Sequence, residues 1–158
     1  EEVHADFHAR FDATNKLYRY HILNRPGFIA LDRGLMWHIK RPLDVEAMQA
    51  GAVHLLGHHD FTSFRDTECQ ANSPMRTLDR LDITARPYDD CGGREIIFET
   101  EGQSFLHHQV RNMVGTLSLV GTGKWSPDQV KTALLAKDRT EGGPTAPAEG
   151  LYLMRIDY

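Results

Sequence analysis

The sequence predicts an α+β domain, a mainly antiparallel sheet with helices packed on one face. Three observations carry this. Lys16–Leu23, Leu78–Ala85, Arg94–Glu101 and Leu151–Tyr158 are rich in strand formers, and the middle two flank a turn dense in Asp and Gly, the pattern of a hairpin. Between and around them, apolar residues recur at steps of three and four, the period of an amphipathic helix. Finally, 158 residues with 41% hydrophobic and 25% charged content suit one ordinary globular domain, residues 1–158.

Phe7 to Phe11, FHARF, opens the chain with an aromatic and basic cluster. It reads either as a loop with buried phenylalanines or as a backbone-phosphate contact by Arg10 between rings that stack on bases. In the strand Lys16–Leu23, Tyr18, Tyr20 and Ile22 point one way and Leu17, Arg19, His21 and Leu23 the other. Both faces are partly apolar, so the strand belongs inside a sheet. Arg25-Pro26-Gly27 ends it, and Leu35–Ile39 is a short second strand or extended segment.

Leu43–Leu56 is a helix with Asp44 as N-cap and Val45, Met48, Ala52, Leu55 and Leu56 on one face. Gly57 stops it. His58, His59 and Asp60 invite a metal reading, but adjacent residues in a turn rarely converge on one ion, and no partner follows at helical spacing. Phe61 and Phe64 plug the core under that turn. Asp66–Met75 is a polar loop, and the hairpin strands follow it. Ser104 caps a helix running to Gly121, and Ser126-Pro127 starts another that ends near Lys137. Gly142–Gly150, GGPTAPAEG, reads as a flexible loop, and Leu151–Tyr158 closes the sheet. The sheet face without helices is left free to bind something.

The helix after Ser104 has an apolar face of Leu106, Val110, Met113, Val114, Leu117 and Val120. On its other side His107, Arg111 and Gly115 lie four apart in one row. The glycine lets another segment come close, and a guanidinium beside such a gap can clamp a carboxylate or phosphate with two parallel hydrogen bonds. The competing reading is a solvated face with a permissive glycine.

A net charge of −4 weighs against nucleic-acid binding but leaves room for a local basic groove built from Arg10, Arg25, Lys40, Arg65 and Arg111. Cys69 and Cys91 have neither metal spacing nor a disulfide framework, which fits free thiols in a reducing cytoplasm. No apolar run suits a membrane span and no signal-peptide pattern opens the chain. The start at EEVHAD, without methionine, reads as a piece of something longer.

FHARF, KLYRY, HDFTSFR, FLHHQVRNMVG, AKDRT and EGLYLMRIDY occur in that order over nearly the whole chain. Together they resemble the carboxy-terminal half of the bacterial tRNA pseudouridine synthase A family. The resemblance implies a cytoplasmic, homodimeric isomerase that makes pseudouridine in the anticodon stem-loop of tRNA without metal or cofactor. It implies two sheet-and-helix halves with the active-site cleft between them. The family's nucleophile is an aspartate in a GRTDAG motif, which this chain lacks, so the chain by itself is expected to be inactive. Arg111 matches the family's partner of that aspartate. Tyr18 matches its active-site tyrosine, which meets a uridine flipped out of the stack. Phe7, His8, Ala9, Arg10 and Phe11 match one tRNA-contacting segment. Glu68, Cys69, Gln70, Ala71 and Asn72 occupy a second, with Cys69-Gln70 the better fit. Leu151 and Leu153 either wall the pocket or are core. Two other classes compete: a non-catalytic RNA-binding module, and a metal hydrolase using His58, His59, His107 and His108.

Overall fold

Strand β1 (Asn15–Asn24) organises the fold, and its side chains alternate between two chemically different faces. A computed structural model describes residues 4, 6–9 and 11–158. After β1 come β2 (Trp37–Ile39), α1 (Val45–Ala52), β3 (Gly57–Asp60), β4 (Met75–Leu78), β5 (Arg80–Pro87), β6 (Arg94–Gly102), α2 (Gln109–Gly121), α3 (Pro127–Ala136) and β7 (Leu151–Asp157). In the main sheet β5, β6 and β1 lie side by side. Beyond β1, β7 pairs with residues 15–20 and β2 with residues 22–24. The β1–β2 pair is parallel and the other strand pairs are antiparallel. The fold is therefore the α+β arrangement expected, with a β3–β4 pair added.

Tyr20 and Ile22 of β1, Ile96 and Phe98 of β6 and Leu81 and Ile83 of β5 share one face and are buried beneath the helices. Met48 from α1, Met113 and Leu117 from α2 and Val130 and Leu134 from α3 complete this core. Each such aliphatic or aromatic side chain contributes about 1.5–3 kcal/mol when fully buried. Phe61 and Phe64 are fully enclosed, as the plug reading requires.

The opposite face is not a bare surface. Arg80 binds Asp82, Glu99 and Glu101, and Arg19 adds a second cation on Glu99. Glu95 lies between His21, at 2.6 Å, and Arg86. Burial pushes the Glu95 carboxyl up, but hydrogen bonds from Arg86 and His21 outweigh it and hold the group below the ordinary range. These acids are satisfied by cations of the same face.

Local sequence explains most element ends. The Asp44 carboxylate accepts from the Ala47 N–H at 2.9 Å and starts α1, which tightens into a single 3-10 turn at residues 53–55. Asp44→Ala is expected to lower stability by about 1 kcal/mol, read as a shifted urea midpoint with an unchanged slope. Ser126 and Gln129 form a capping box on α3. His58–Asp60 is not a turn but strand β3, paired with β4.

Two further expectations fail. Helix α2 starts at Gln109 rather than after Ser104. The Gln109 side chain accepts from the Leu106 N–H at 2.9 Å, and His108 takes the left-handed conformation at φ 59°, which turns the chain before the helix begins. His107 therefore lies outside the helical row of Arg111 and Gly115. Nor does the sequence 142–150 behave as a loose loop. Gly143 N–H donates to Thr116 Oγ1, Thr145 Oγ1 to Asn112 Oδ1 and Tyr20 Oη to Pro147 O, while Ala146 is buried. It is a strap laid across α2. The close approach that Gly115 was expected to permit is made by this strap, since a Cβ at Gly115 would stand 1.7 Å from Pro144 O.

Candidate active site

Where the N-terminal end of α2 meets β1 and the start of β7, the helix-bearing side opens into a cavity of about 460 Å3. Tyr18, Arg111 and Leu151 line it together with Lys16, Phe105, His107 and His108. The structure thus brings together three residues that lie far apart in sequence.

Tyr18 reaches the cavity from β1, where the pairing with β7 slips. Leu17 faces Arg155 and Tyr18 faces Leu153, leaving Met154 as the extra residue of a β-bulge. Bulges of this kind re-aim a neighbouring side chain. The Tyr18 ring packs edge-on against Phe105, with centroids 5.2 Å apart and an interplanar angle of 83°. Burial pushes its phenol pKa up, so it stays protonated near neutrality.

Arg111 is held from the strap. Its Nε donates to Ala146 O at 2.6 Å, and Ala146 N–H donates back to Arg111 O at 3.1 Å. Among the described residues no carboxylate forms an ion pair with it. One edge of the guanidinium is anchored and its fork is left for something that enters the cavity. Beneath it, burial and then the charge of Glu149 raise the Tyr20 phenol far above its usual value, which keeps its hydrogen on Pro147 O.

Phe105, Leu106 and His107 also wall a second cavity of about 430 Å3, lined by Glu68, Cys69, Gln70, Ala71 and Arg76. The second expected contact loop therefore adjoins the first cavity, with Asn72 exposed beside it. Arg65 Nη2 donates to Cys69 O at 2.9 Å and shapes this loop. Arg76 donates Nη1 to Ser73 O, while its buried Nε finds no acceptor among the described residues.

Other expected residues lie apart from both cavities. Arg10 falls outside the described residues. Phe7 packs edge-on against Tyr158, His8 and Phe11 rings lie 4.3 Å apart, and Ala9 and Phe11 are exposed. None of the described residues of this segment lines either cavity. Arg25 lies past the far end of β1, roughly 20 Å along the chain from Tyr18, in an ion pair with Asp89 at 2.7 Å.

The metal reading loses its geometry. His58 Nδ1 faces Thr77 Oγ1 and His59 Nε2 donates to Leu56 O, so neither joins His107 and His108. What does converge is Asp66 with His107 and His108. The His108 Nδ1–H reaches Asp66 Oδ2 at 2.6 Å, while His107 Nδ1 stands 3.9 Å from Oδ1. Hydrogen bonding from the Glu68 N–H, then from His108, holds the Asp66 carboxyl below its ordinary range.

Sequence reasoning missed Lys16, Phe105, Asp66 and Arg76 as site residues. Lys16 and Phe105 each sit inside a quoted motif, KLYRY and FLHHQVRNMVG, and that was the signal to extend the site to them.

The sequence profile described as tRNA pseudouridine synthase matches residues 52–158. The chain belongs to that family. A tRNA pseudouridine synthase A of Paramagnetospirillum magneticum is 57% identical over 158 residues, which is 100% of this chain and 59% of the relative. The tRNA pseudouridine synthase A of Acidiphilium cryptum is 55% identical over 149 residues, 94% of this chain and 56% of the relative. That of Xanthobacter autotrophicus is 52% identical over 158 residues, 100% of this chain and 62% of the relative. The chain therefore spans about 60% of the length of these pseudouridine synthases and among its described residues has no helix long and apolar enough to cross a membrane.

Proposed function

We propose that this chain is the carboxy-terminal domain of a cytoplasmic, homodimeric tRNA pseudouridine synthase and forms one wall of its active-site cleft. The observation that carries this is Arg111: a guanidinium anchored at Nε, with no carboxylate partner among the described residues, beside Tyr18 in an open cavity. The reaction breaks the C1′–N1 bond of an anticodon-arm uridine and forms C1′–C5, with a proton leaving C5 and one added at N1. An aspartate nucleophile must be supplied by a segment of the polypeptide outside these residues. It must stay ionised when closed in the cleft, where desolvation raises a carboxyl pKa. The Arg111 fork counters that by pairing with it. The Tyr18 ring offers a face to the flipped base, with Leu151 as apolar floor, and its neutral hydroxyl sits where protons are exchanged after re-attachment. Residues 68–72, with Arg65 and Arg76 beside them, contact the RNA strand, as does the 7–11 segment.

The test is a tritium-release assay with 5-tritiated uridine in an anticodon-arm RNA. This chain alone is expected to give no turnover, because no neighbouring group replaces a covalent nucleophile. The polypeptide that also carries a GRTDAG-type aspartate is expected to be active, and its inactivity would refute the reading. RNA binding by the chain alone should be weak and fall steeply with salt, since phosphate contacts release counterions. Turnover by the chain alone would show that the nucleophile lies within it.

A further inference from the structure

The His107–His108 arrangement is not needed by the steps above, yet it is held at a conformational cost. Neighbouring residues on a helix splay about 100° apart and cannot stack. Here the chain leaves helical geometry, with His108 at φ 59°, a region that costs a non-glycine residue of order 1 kcal/mol or more. The outcome is two imidazoles stacked face to face, 3.9 Å between centroids and 26° between planes.

The stack has a fixed inner ring and an open outer one. Asp66 grips His108, and Asp66 is itself pinned by the Glu68 N–H at 2.9 Å and by its own N–H on His107 O at 3.0 Å. The side chain of His107 is 57% exposed and borders both cavities. It is the ridge between the pocket of Tyr18 and Arg111 and the groove of residues 68–71 and Arg76.

A shared metal does not explain this geometry. An imidazole lone pair lies in the plane of its ring, and zinc sits about 2 Å from the nitrogen. Two rings with centroids 3.9 Å apart and planes only 26° from parallel do not share such a point, so at least one ring would have to rotate out of the stack to hold one ion.

We propose that the His107–His108 stack is a platform for a nucleobase, and that the base adjoining the flipped uridine lies on the outer face of His107. The assignment rests on the functional reading above. A uridine swung into the first cavity leaves its neighbour without a stacking partner. The strand continuing toward the second cavity, where Arg76 lies, carries that neighbour over His107. An aromatic ring supplies a sequence-tolerant surface for it, since every base has a face to stack. His108 backs the platform and Asp66 sets its tilt.

The experiment uses the complete enzyme with its aspartate-bearing segment and an anticodon-arm RNA carrying 2-aminopurine next to the target uridine. His107→Ala and His107→Phe are compared with wild type by fluorescence quenching, RNA affinity and pseudouridine yield. Wild type and His107→Phe are expected to quench the probe and to bind within about threefold of each other. His107→Ala should lose the quenching and about tenfold in affinity, tenfold being about 1.4 kcal/mol. Unchanged quenching in His107→Ala overturns the platform. So does a His107→Phe variant that melts normally yet binds as poorly as His107→Ala, because the ring then mattered only for charge or hydrogen bonding. A wild type that makes no pseudouridine but quenches in a His107-dependent way would remove the functional reading and leave the platform standing.

Discussion

Arg111→Met in the complete enzyme is expected to lower single-turnover pseudouridine formation by about a hundredfold or more, each tenfold being about 1.4 kcal/mol of barrier. Methionine keeps the apolar stem along α2 and removes both the charge and the fork. The loss inside the domain is small: Ala146 O gives up one donor, costing about 1 kcal/mol of stability. The loss at the chemistry is larger. A carboxylate enclosed in the cleft without its cation takes up a proton more readily and ceases to be a nucleophile. RNA affinity should change far less, since in the proposed function this side chain serves the nucleophile. Arg111→Lys should recover part of the rate, restoring charge without the planar fork. Near-normal turnover in a folded Arg111→Met enzyme would end the clamp assignment and leave Arg111 as a brace for the strap.

The second large effect is expected at Gly115. An alanine there places its Cβ 1.7 Å from Pro144 O, 2.8 Å from the Pro144 carbonyl carbon and 3.2 Å from Ala146 N. These are backbone atoms and cannot rotate away, so the strap must lift. Lifting it breaks the Gly143–Thr116 and Ala146–Arg111 hydrogen bonds and uncovers buried Ala146. Gly115→Ala should therefore cost about 3 kcal/mol or more, near the upper end for overpacking. For a domain of this size that is a fall of roughly 10 °C in Tm. Turnover should fall with it, because the strap supplies the acceptor that orients the Arg111 guanidinium. Wild-type melting in the alanine variant would show that the strap rests on α2 without depending on the close approach.

What could be read from the sequence was whatever depends on short-range periodicity or on an unbroken motif. The apolar stripe Val110, Met113, Val114, Leu117 and Val120 is wholly buried in α2 as expected. The hairpin of β5 and β6 and the caps at Asp44 and Ser126 followed from local chemistry. The helix start was missed because a side chain, Gln109, competes for the Leu106 N–H and outweighs the capping promise of Ser104. The strap was misread because glycine and proline are equally abundant in mobile loops and in segments that must press against a helix. Only the partner surface, here Thr116 and Gly115, separates the two. Asp66 and His108 are 42 residues apart, and no spacing rule links them. That the charges of the helix-free sheet face pair with one another could not be read, because cross-strand partners such as Arg19 and Glu99 are matched by register, which a single strand does not reveal.

The pairing of β1 with β7 sets an order on biogenesis. β1 is made before the strands that pair with it, and its pairing with β6 is available once residue 102 has appeared. Its remaining edge, residues 15–20, waits for residues 151–157, the last element described to be synthesised. A nascent chain therefore carries an unpaired sheet edge from the emergence of β6 until residues 151–157 follow, an invitation to mispair with other chains. Leu151, a wall of the active-site cavity, arrives with the strand that closes that edge. The cavity is completed by the same event that removes the aggregation hazard, so a ribosome stalled before β7 releases a chain that lacks its pocket wall and carries an open edge.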